Sequence, residues 1–179
     1  LLPYIVPGVG QPAAVPGAGG SRPHAMPMLV YDLNRDGLSE IVLARANLVY
    51  RNEGRMRFKR ELLCKHYPGR LQAAVFADFD NDGLTDLLGL PENSMPVFMK
   101  GGAGGVFDEP PKVIEVKLGA KNAGTCITAG DIDNDGDLDA WVIQNKVAFN
   151  GGNMPTPYYD ANDGYPSYLL VNDGEGRFT

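Results

Sequence analysis

The 179-residue chain has few of the residues that carry nucleophilic, redox or soft-metal chemistry: two cysteines, two histidines and one tryptophan. Cys64 and Cys126 stand at non-equivalent places in the repeats described below. We read them as two small, partly buried thiols rather than a disulfide, and they do not settle the compartment. No Ser-His-Asp or Cys-His arrangement is readable from spacing, so no catalytic constellation is assigned. No apolar run is long enough to span a bilayer. The opening "LLPYIVPGVGQPAAVPGAGG" is broken by Pro3, Pro7, Pro12 and Pro16 and lacks the basic start of a secretory signal. Residues 1–24 are read as a linker or the end of a preceding blade. Positive charge is scarce too. The formal net charge is −6, and no basic stripe exists, which argues against a nucleic-acid partner.

What is abundant is acid, turn residues and repetition. The stretches "DLNRDGLSE", "DFDNDGLTD" and "DIDNDGDLD" begin at Asp32, Asp78 and Asp131, at spacings of 46 and 53 residues. They are three copies of D-x-[DN]-x-D-G-x-x-[DE]. A period in that range points to a propeller-like or solenoid architecture. The loops hold three, four and five acidic side chains, more than half of the chain's 22, against Arg35 as their one basic residue. Crowding like charge into so short a segment is costly unless a cation binds there.

Short apolar runs flank each loop: 25–31 and 41–46, 71–77 and 87–90, 125–130 and 140–144. Their length suits strands, not helices. The runs before the loops are apolar or small on both faces, as strands covered on both sides are. A second hairpin follows in each repeat, through "LVYRNEGRMRF", "VFMKGGAGGVF" and "LLVNDGEGRF", ending at Phe58, Phe107 and Phe178. The 23 glycines and 14 prolines fit many turns between short strands. Each repeat therefore reads as four antiparallel strands, the content of one propeller blade. The fold class is all-β, with blades at about 25–65, 69–119 and 122–179. Trp141, beside the third loop, is expected in the core. The "GGAGG" run at 101–105 sits in a hairpin turn rather than before a helix, so it is not read as a phosphate cradle.

The loop chemistry points to calcium, a hard cation that takes six to eight oxygen ligands. Positions 1, 3 and 5 supply Asp32, Asn34 and Asp36; Asp78, Asp80 and Asp82; Asp131, Asp133 and Asp135. Glycine at position 6 (Gly37, Gly83, Gly136) provides the positive φ of a sharp turn. The position-7 carbonyl of Leu38, Leu84 or Asp137 then faces the ion, and Glu40, Asp86 or Asp139 at position 9 closes the cage. EF-hands begin similarly but need Glu at position 12 and flanking helices; here position 12 is Leu43, Gly89 or Val142. Zinc and copper would call for His or Cys, absent from these loops. Three divalent ions would bring the net charge of −6 to about zero. Loop one, with Asn34 and Arg35, is expected to bind most weakly.

The acidic hairpin, followed by a strand and "NDGEGRF", resembles the FG-GAP/VCBS repeat, of the cartilage-acidic-protein type in which N-x-G-x-G-x-F recurs. Asn172, Gly174, Gly176 and Phe178 match that pattern. Asn52, Gly54 and Phe58 match in part, with Met56 at the second glycine, and Gly101 takes the Asn place in the second repeat. The resemblance, over about 25–179, implies the calcium-binding β-propeller of integrin α-chain heads and secreted bacterial proteins. It further implies a wheel of six or seven blades, of which three would be present here, and an extracellular, cell-surface or periplasmic setting.

Strand order puts the acidic loops at one end of the blades. The other end would gather His66, Tyr67 and Arg70 with Tyr158, Tyr159 and Tyr165, three of them in or beside a long insertion at 149–167. Tyrosines with a few polar groups suit recognition of a protein or carbohydrate ligand. The expected function is a non-enzymatic recognition or adhesion segment holding about three structural Ca2+ ions. The alternatives are a propeller domain of a secreted polysaccharide-active enzyme and a purely structural repeat region.

Overall fold

The computed structural model describes residues 27–92, 94–116, 124–144 and 165–179. The 1–24 segment, most of the 149–167 insertion, Tyr158 and Tyr159 lie outside these residues. Among them, strands and one 3-10 turn make up the regular structure. Blade one is β1 (Met28–Tyr31), β2 (Glu40–Leu43), β3 (Leu48–Asn52) and β4 (Phe58–Leu62), hydrogen-bonded in chain order. Blade two repeats that order with β5 (Leu71–Ala77), β6 (Asp86–Pro91), β7 (Val97–Met99) and β8 (Lys112–Val113). Blade three has β9 (Gly124–Gly130), β10 (Asp139–Gln144) and β11 (Tyr168–Leu170). An antiparallel Asn172–Phe178 bridge, with Val171 and Thr179 exchanging N–H···O bonds of 3.0 and 2.9 Å, closes the turn after β11. All strand pairs are antiparallel. The described blades do not close a ring.

The first hairpins share one register. Tyr31 pairs with Glu40, Ala77 with Asp86, and Gly130 with Asp139. The position-9 acid is therefore the first residue of the second strand in every blade, and it is buried each time.

Two places depart from the strand pattern expected of the sequence. β2 stops at Leu43, and Ala44–Ala46 wind into a 3-10 turn instead of extending the strand. Asn47, left-handed at φ 54°, ends that turn. Its side chain clamps Cys64, accepting from Cys64 N at 2.8 Å and donating to Cys64 O at 3.1 Å. In blade two, Phe107 does not start the fourth strand. It bridges Cys64 of the preceding segment, and β8 begins only at Lys112. Pro110 and Pro111 lie between and have no N–H to offer a ladder.

The cores lie between blades. Leu33, Val42 and Val49 of blade one meet Leu71, Phe76, Leu87 and Phe107. Phe79, Leu88, Phe98 and Ile114 of blade two meet Ile127, Val142 and Leu170 of blade three. Leu87 and Leu88 are neighbours on β6 yet serve opposite cores, because strand side chains alternate faces. All six β6 residues are buried as a result. Phe79, Phe98 and Phe178 form an aromatic cluster with centroids 5.7 to 6.5 Å apart. Full burial of such a ring, which Phe79 and Phe98 reach and Phe178 reaches in part, contributes about 1.5–3 kcal/mol.

One expectation about the core is corrected. Trp141 is 40% exposed, on the β10 face opposite the one that meets blade two. The alternation that buries Ala140 and Val142 turns Trp141 and Ile143 outward. Loop position 2 shows the same contrast. Leu33 and Phe79, each covered by the following blade, are buried, whereas Ile132 is exposed. Both cysteines are free; Cys64 is buried, but Cys126 is exposed rather than partly buried.

Candidate metal centres

Each acidic loop is built from the same three backbone clamps. The position-1 carboxylate accepts the N–H of the position-6 glycine: Asp32 from Gly37 at 2.9 Å, Asp78 from Gly83 at 3.0 Å, Asp131 from Gly136 at 3.2 Å. The position-5 carboxylate accepts the position-7 N–H: Asp36 from Leu38 at 2.7 Å, Asp82 from Leu84 at 2.8 Å, Asp135 from Asp137 at 2.9 Å. The position-9 acid uses both oxygens. One takes the position-2 N–H, of Leu33, Phe79 or Ile132, at 2.9 to 3.0 Å. The other takes an N–H from the third-strand segment: Asn52 at 3.4 Å, Gly101 at 2.7 Å, Asn172 at 2.9 Å. Two residues per loop take positive φ. They are the expected glycine and, in addition, position 4: Arg35 (59°), Asn81 (56°) and Asn134 (68°).

The clamps bring positions 1, 3 and 9 together. In loop two, Asp78, Asp80 and Asp86 each offer a carboxylate oxygen, all within 4.8 Å of one another; in loop three Asp131, Asp133 and Asp139 do the same. The position-5 carboxylates, Asp82 and Asp135, stay outside these groups and are engaged by the position-7 N–H. Loop one forms no such three-acid group among the described residues. Asn34 occupies its third position and donates to Asp36 at 2.9 Å.

The residues of loops two and three fit a hard cation. Oδ1 of Asp78 and Oδ1 of Asp80 are buried without a hydrogen-bond partner. Leaving buried acceptors unsatisfied costs about 1–3 kcal/mol each, more when they are charged, and a coordinated cation removes that cost. Burial pushes the Asp86 carboxyl up to about 6, against the two N–H groups that favour its ionised form, with Asp80 and Asp82 adding to the rise. In loop three Asp133 is also raised, first by desolvation and then by Asp135 and Asp139. Both shifts have the direction that desolvation and neighbouring carboxylates impose.

The three loops lie side by side and touch through position 4. Arg35 of loop one reaches Asp78 of loop two at 3.7 Å. Asn81 of loop two donates to Asp137 of loop three at 2.7 Å. The second turns of the blades sit at the same end. A Cβ on Gly174 would meet the Asp137 carboxylate at 2.5 Å, one on Gly105 would meet the Leu33 carbonyl at 2.6 Å, and one on Gly176 would meet the Phe98 ring at 2.7 Å. Met56, equivalent to Gly105 and Gly176, also takes positive φ, at 60°, but is exposed, with no described blade beside it. The departure from the glycine pattern thus falls on an exposed residue. Gly101 is explained as well. Asn52 and Asn172 donate from their side chains to the position-8 carbonyls of Ser39 and Leu138 at 3.1 Å. At Gly101 the chain comes so near the equivalent Thr85 carbonyl that a Cβ would collide with it.

Sequence reasoning missed a cation at loop two. Lys100, just after β7, forms ion pairs with Asp80 and, at 2.7 Å, with Asp82. It holds the Asp82 carboxyl below its ordinary value, and its own ammonium is raised by the same two bonds. The legible signal was a lysine beside Gly101, seven residues before the aligned Phe107.

At the opposite end of the blades, the expected ligand residues divide. His66 and Arg70 are exposed. Tyr67 is half-buried and structurally engaged. Its hydroxyl shares a hydrogen bond between the Ala44 and Arg45 carbonyls at 2.9 Å each and accepts from Leu71 N at 3.1 Å. Tyr165 is partly buried beside Pro166, whose carbonyl accepts from Gln144 at the far end of β10, at 2.6 Å.

Comparison with known families agrees with this geometry. The family model described as FG-GAP-like repeat matches twice, over residues 32–89 and 78–142, each match running from one acidic loop into the next blade. The chain belongs to the FG-GAP-like repeat family. No curated protein matches it. A solved structure of an Agrocybe aegerita lectin, titled for specific recognition of non-reducing terminal N-acetylglucosamine, superposes with a TM-score of 0.57 at 21% identity. The match covers 90% of this chain and 39% of the lectin's, so the FG-GAP-like segment spans about two fifths of that protein. At this identity the likeness is one of fold. Among the described residues no helix is long and apolar enough to cross a membrane.

Proposed function

We propose that this FG-GAP-like segment is a non-enzymatic, calcium-stapled recognition module that works outside the cytoplasm and binds carbohydrate at the end of the blades opposite the metal loops. The observation that carries the calcium reading is the pair of orphaned buried oxygens on Asp78 and Asp80, within a three-carboxylate group repeated in loop three. Ca2+ accepts many oxygen ligands in flexible geometry, which suits loops already held by backbone clamps, and extracellular calcium is abundant enough for modest affinity. Mg2+ prefers a rigid octahedron with few protein ligands, a poorer match. The ion neutralises the loops and stiffens the hairpins rather than reacting. Loop one is the weakest of three sites. The carbohydrate reading is supported by the fold shared with a lectin and by exposed polar groups, His66 and Arg70, at the far end.

Two measurements test the reading. Thermal melts in millimolar Ca2+ and in chelator should differ by about 5–10 °C, the shift expected of a native-state ligand near 100-fold saturation. Identical melts refute the calcium assignment. A glycan array that includes glycans ending in N-acetylglucosamine should show binding that His66→Ala and Arg70→Ala reduce; an array without signal refutes the carbohydrate assignment.

A further inference from the structure

The third strands of the three blades differ at one position that faces the acidic end. Seven residues before the aligned phenylalanine stand Arg51, Lys100 and Val171. Arg51 turns away from its own acidic loop. It pairs with Glu61 at 3.4 Å and donates to the Gly105 carbonyl at 2.6 Å. Val171 carries no charge. Lys100 alone of the three enters the acidic loop of its own blade and straddles Asp80 and Asp82.

The loop it enters is the one with unsatisfied acid. The Asp80 side chain is only 10% exposed, and one of its oxygens goes to Lys100 while the other has no partner. Asp78 likewise keeps a buried, partnerless oxygen, and Arg35 approaches Asp78 only from solvent, 53% exposed. Lys100 thus neutralises one edge of the group and leaves the inner oxygens bare. Resting on the calcium reading above, we propose that Lys100 is the resident counter-cation of loop two, holding its Asp80–Asp82 edge in the metal-free chain and leaving when Ca2+ enters.

Asp80 belongs both to the lysine pair and to the carboxylate group that would take the ion. An ammonium and a dication on one carboxylate repel strongly at about 4 Å in a partly buried setting. The side chain of Lys100 is one third exposed, so its flexible stem can swing the charge into water. Binding at loop two is then an exchange of cations. Its apparent affinity is lowered by the fraction of chains in which the lysine has already left. Among the described residues loop three has no such competitor, so it binds without exchange. The metal-free state gains in return: loop two stays folded in the absence of calcium, while loop three keeps its uncompensated repulsion. Loop two is therefore the site that follows calcium concentration, and loop three the one filled first.

The test uses the full chain with loop three silenced by Asp133→Ala, titrated with CaCl2 in a calorimeter, with and without Lys100→Met. Lys100→Met should tighten the remaining strong site about tenfold and lower the melting temperature in chelator. Lys100→Arg, which keeps the charge, should do neither. A second measurement needs no variant at the lysine. Reductive 13C-methylation of the wild-type protein should give one lysine resonance that is displaced in chelator and moves to the free-lysine position on adding CaCl2. If calcium binds loop two with unchanged affinity in Lys100→Met, or no lysine resonance responds, the exchange is refuted and the calcium reading stands. If no variant takes up calcium, both fall.

Discussion

Loops two and three share a motif, a register and a set of backbone clamps, yet they reach charge balance differently. Loop two imports a lysine from its own third strand and has a neighbour, Arg35, on its flank. Loop three has five aspartates and, among the described residues, no ion pair to a basic side chain; the neutral amide of Asn81 reaches it at Asp137. The same scaffold can therefore host a loop partly satisfied from within and a loop that depends on an ion from outside. The difference rests on a strand position outside the nine-residue motif.

The comparison breaks most severely at position 9, where the two loops are alike. Asp86→Ala would strand the buried N–H groups of Phe79 and Gly101, and Asp139→Ala those of part-buried Ile132 and buried Asn172. Each variant should lose about 2–4 kcal/mol in urea unfolding. The loss should persist in chelator, because the clamps do not need the ion. A loss that vanished in chelator would make these acids metal ligands alone.

Next in size are the glycines that let a turn lie on the preceding blade. Gly105→Ala and Gly176→Ala combine positive φ with a Cβ collision, on a backbone carbonyl and on the Phe98 ring, and should each cost about 1–3 kcal/mol. Met56→Gly, at the equivalent exposed position, should be neutral or stabilising by up to about 1 kcal/mol, since it relieves positive φ. Equal destabilisation by all three changes would undo the explanation of the broken glycine pattern.

The contrast between loops is sharpened by transplanting the lysine. Val171→Lys gives loop three the residue that loop two already has. Its calcium affinity should fall by about tenfold while metal-free stability rises slightly. Unaltered affinity would mean that loop three cannot accept an internal cation.

The smallest effect concerns the thiols. Burial pushes Cys64 up to about 12 from its ordinary 9.0. Its folded value lies above the unfolded one, so its contribution to stability is present below about 9 and fades as pH rises toward 12. At pH 8 a thiol-reactive dye should label exposed Cys126 alone, and label Cys64 only after unfolding. Rapid labelling of both in the native chain would contradict the buried position of Cys64.

The repeat, the strand count and the acidic loops were legible because each leaves a local trace: a nine-residue motif, apolar runs of strand length, and a phenylalanine after a glycine turn. Contacts between blades left none. Nothing in "MKGG" says that Lys100 folds back onto Asp80, twenty residues earlier. Nothing in "DIDND" says that Ile132 is bare while Leu33 and Phe79, at the same motif position, are covered. The exposure of Trp141 was misjudged for the same reason. Strand alternation tells which residues share a face, but only the neighbouring sheet decides whether that face is dry. Position 9 was read as a cage-closing ligand; its second role, joining the loop to the third strand, needs two oxygens and two distant N–H groups that only the assembled blade brings together.

The central claim is that these loops hold calcium, and counting the ions tests it most directly. Equilibrium dialysis of the wild-type chain against 45Ca2+, alongside Asp80→Ala, Asp133→Ala and the double variant, should show loop three filling first, loop two next and loop one last. Each single change should remove one strong site, and the double variant should retain only weak binding. A wild-type chain that takes up no calcium at millimolar concentration, or a double variant that binds as the wild type does, would contradict it.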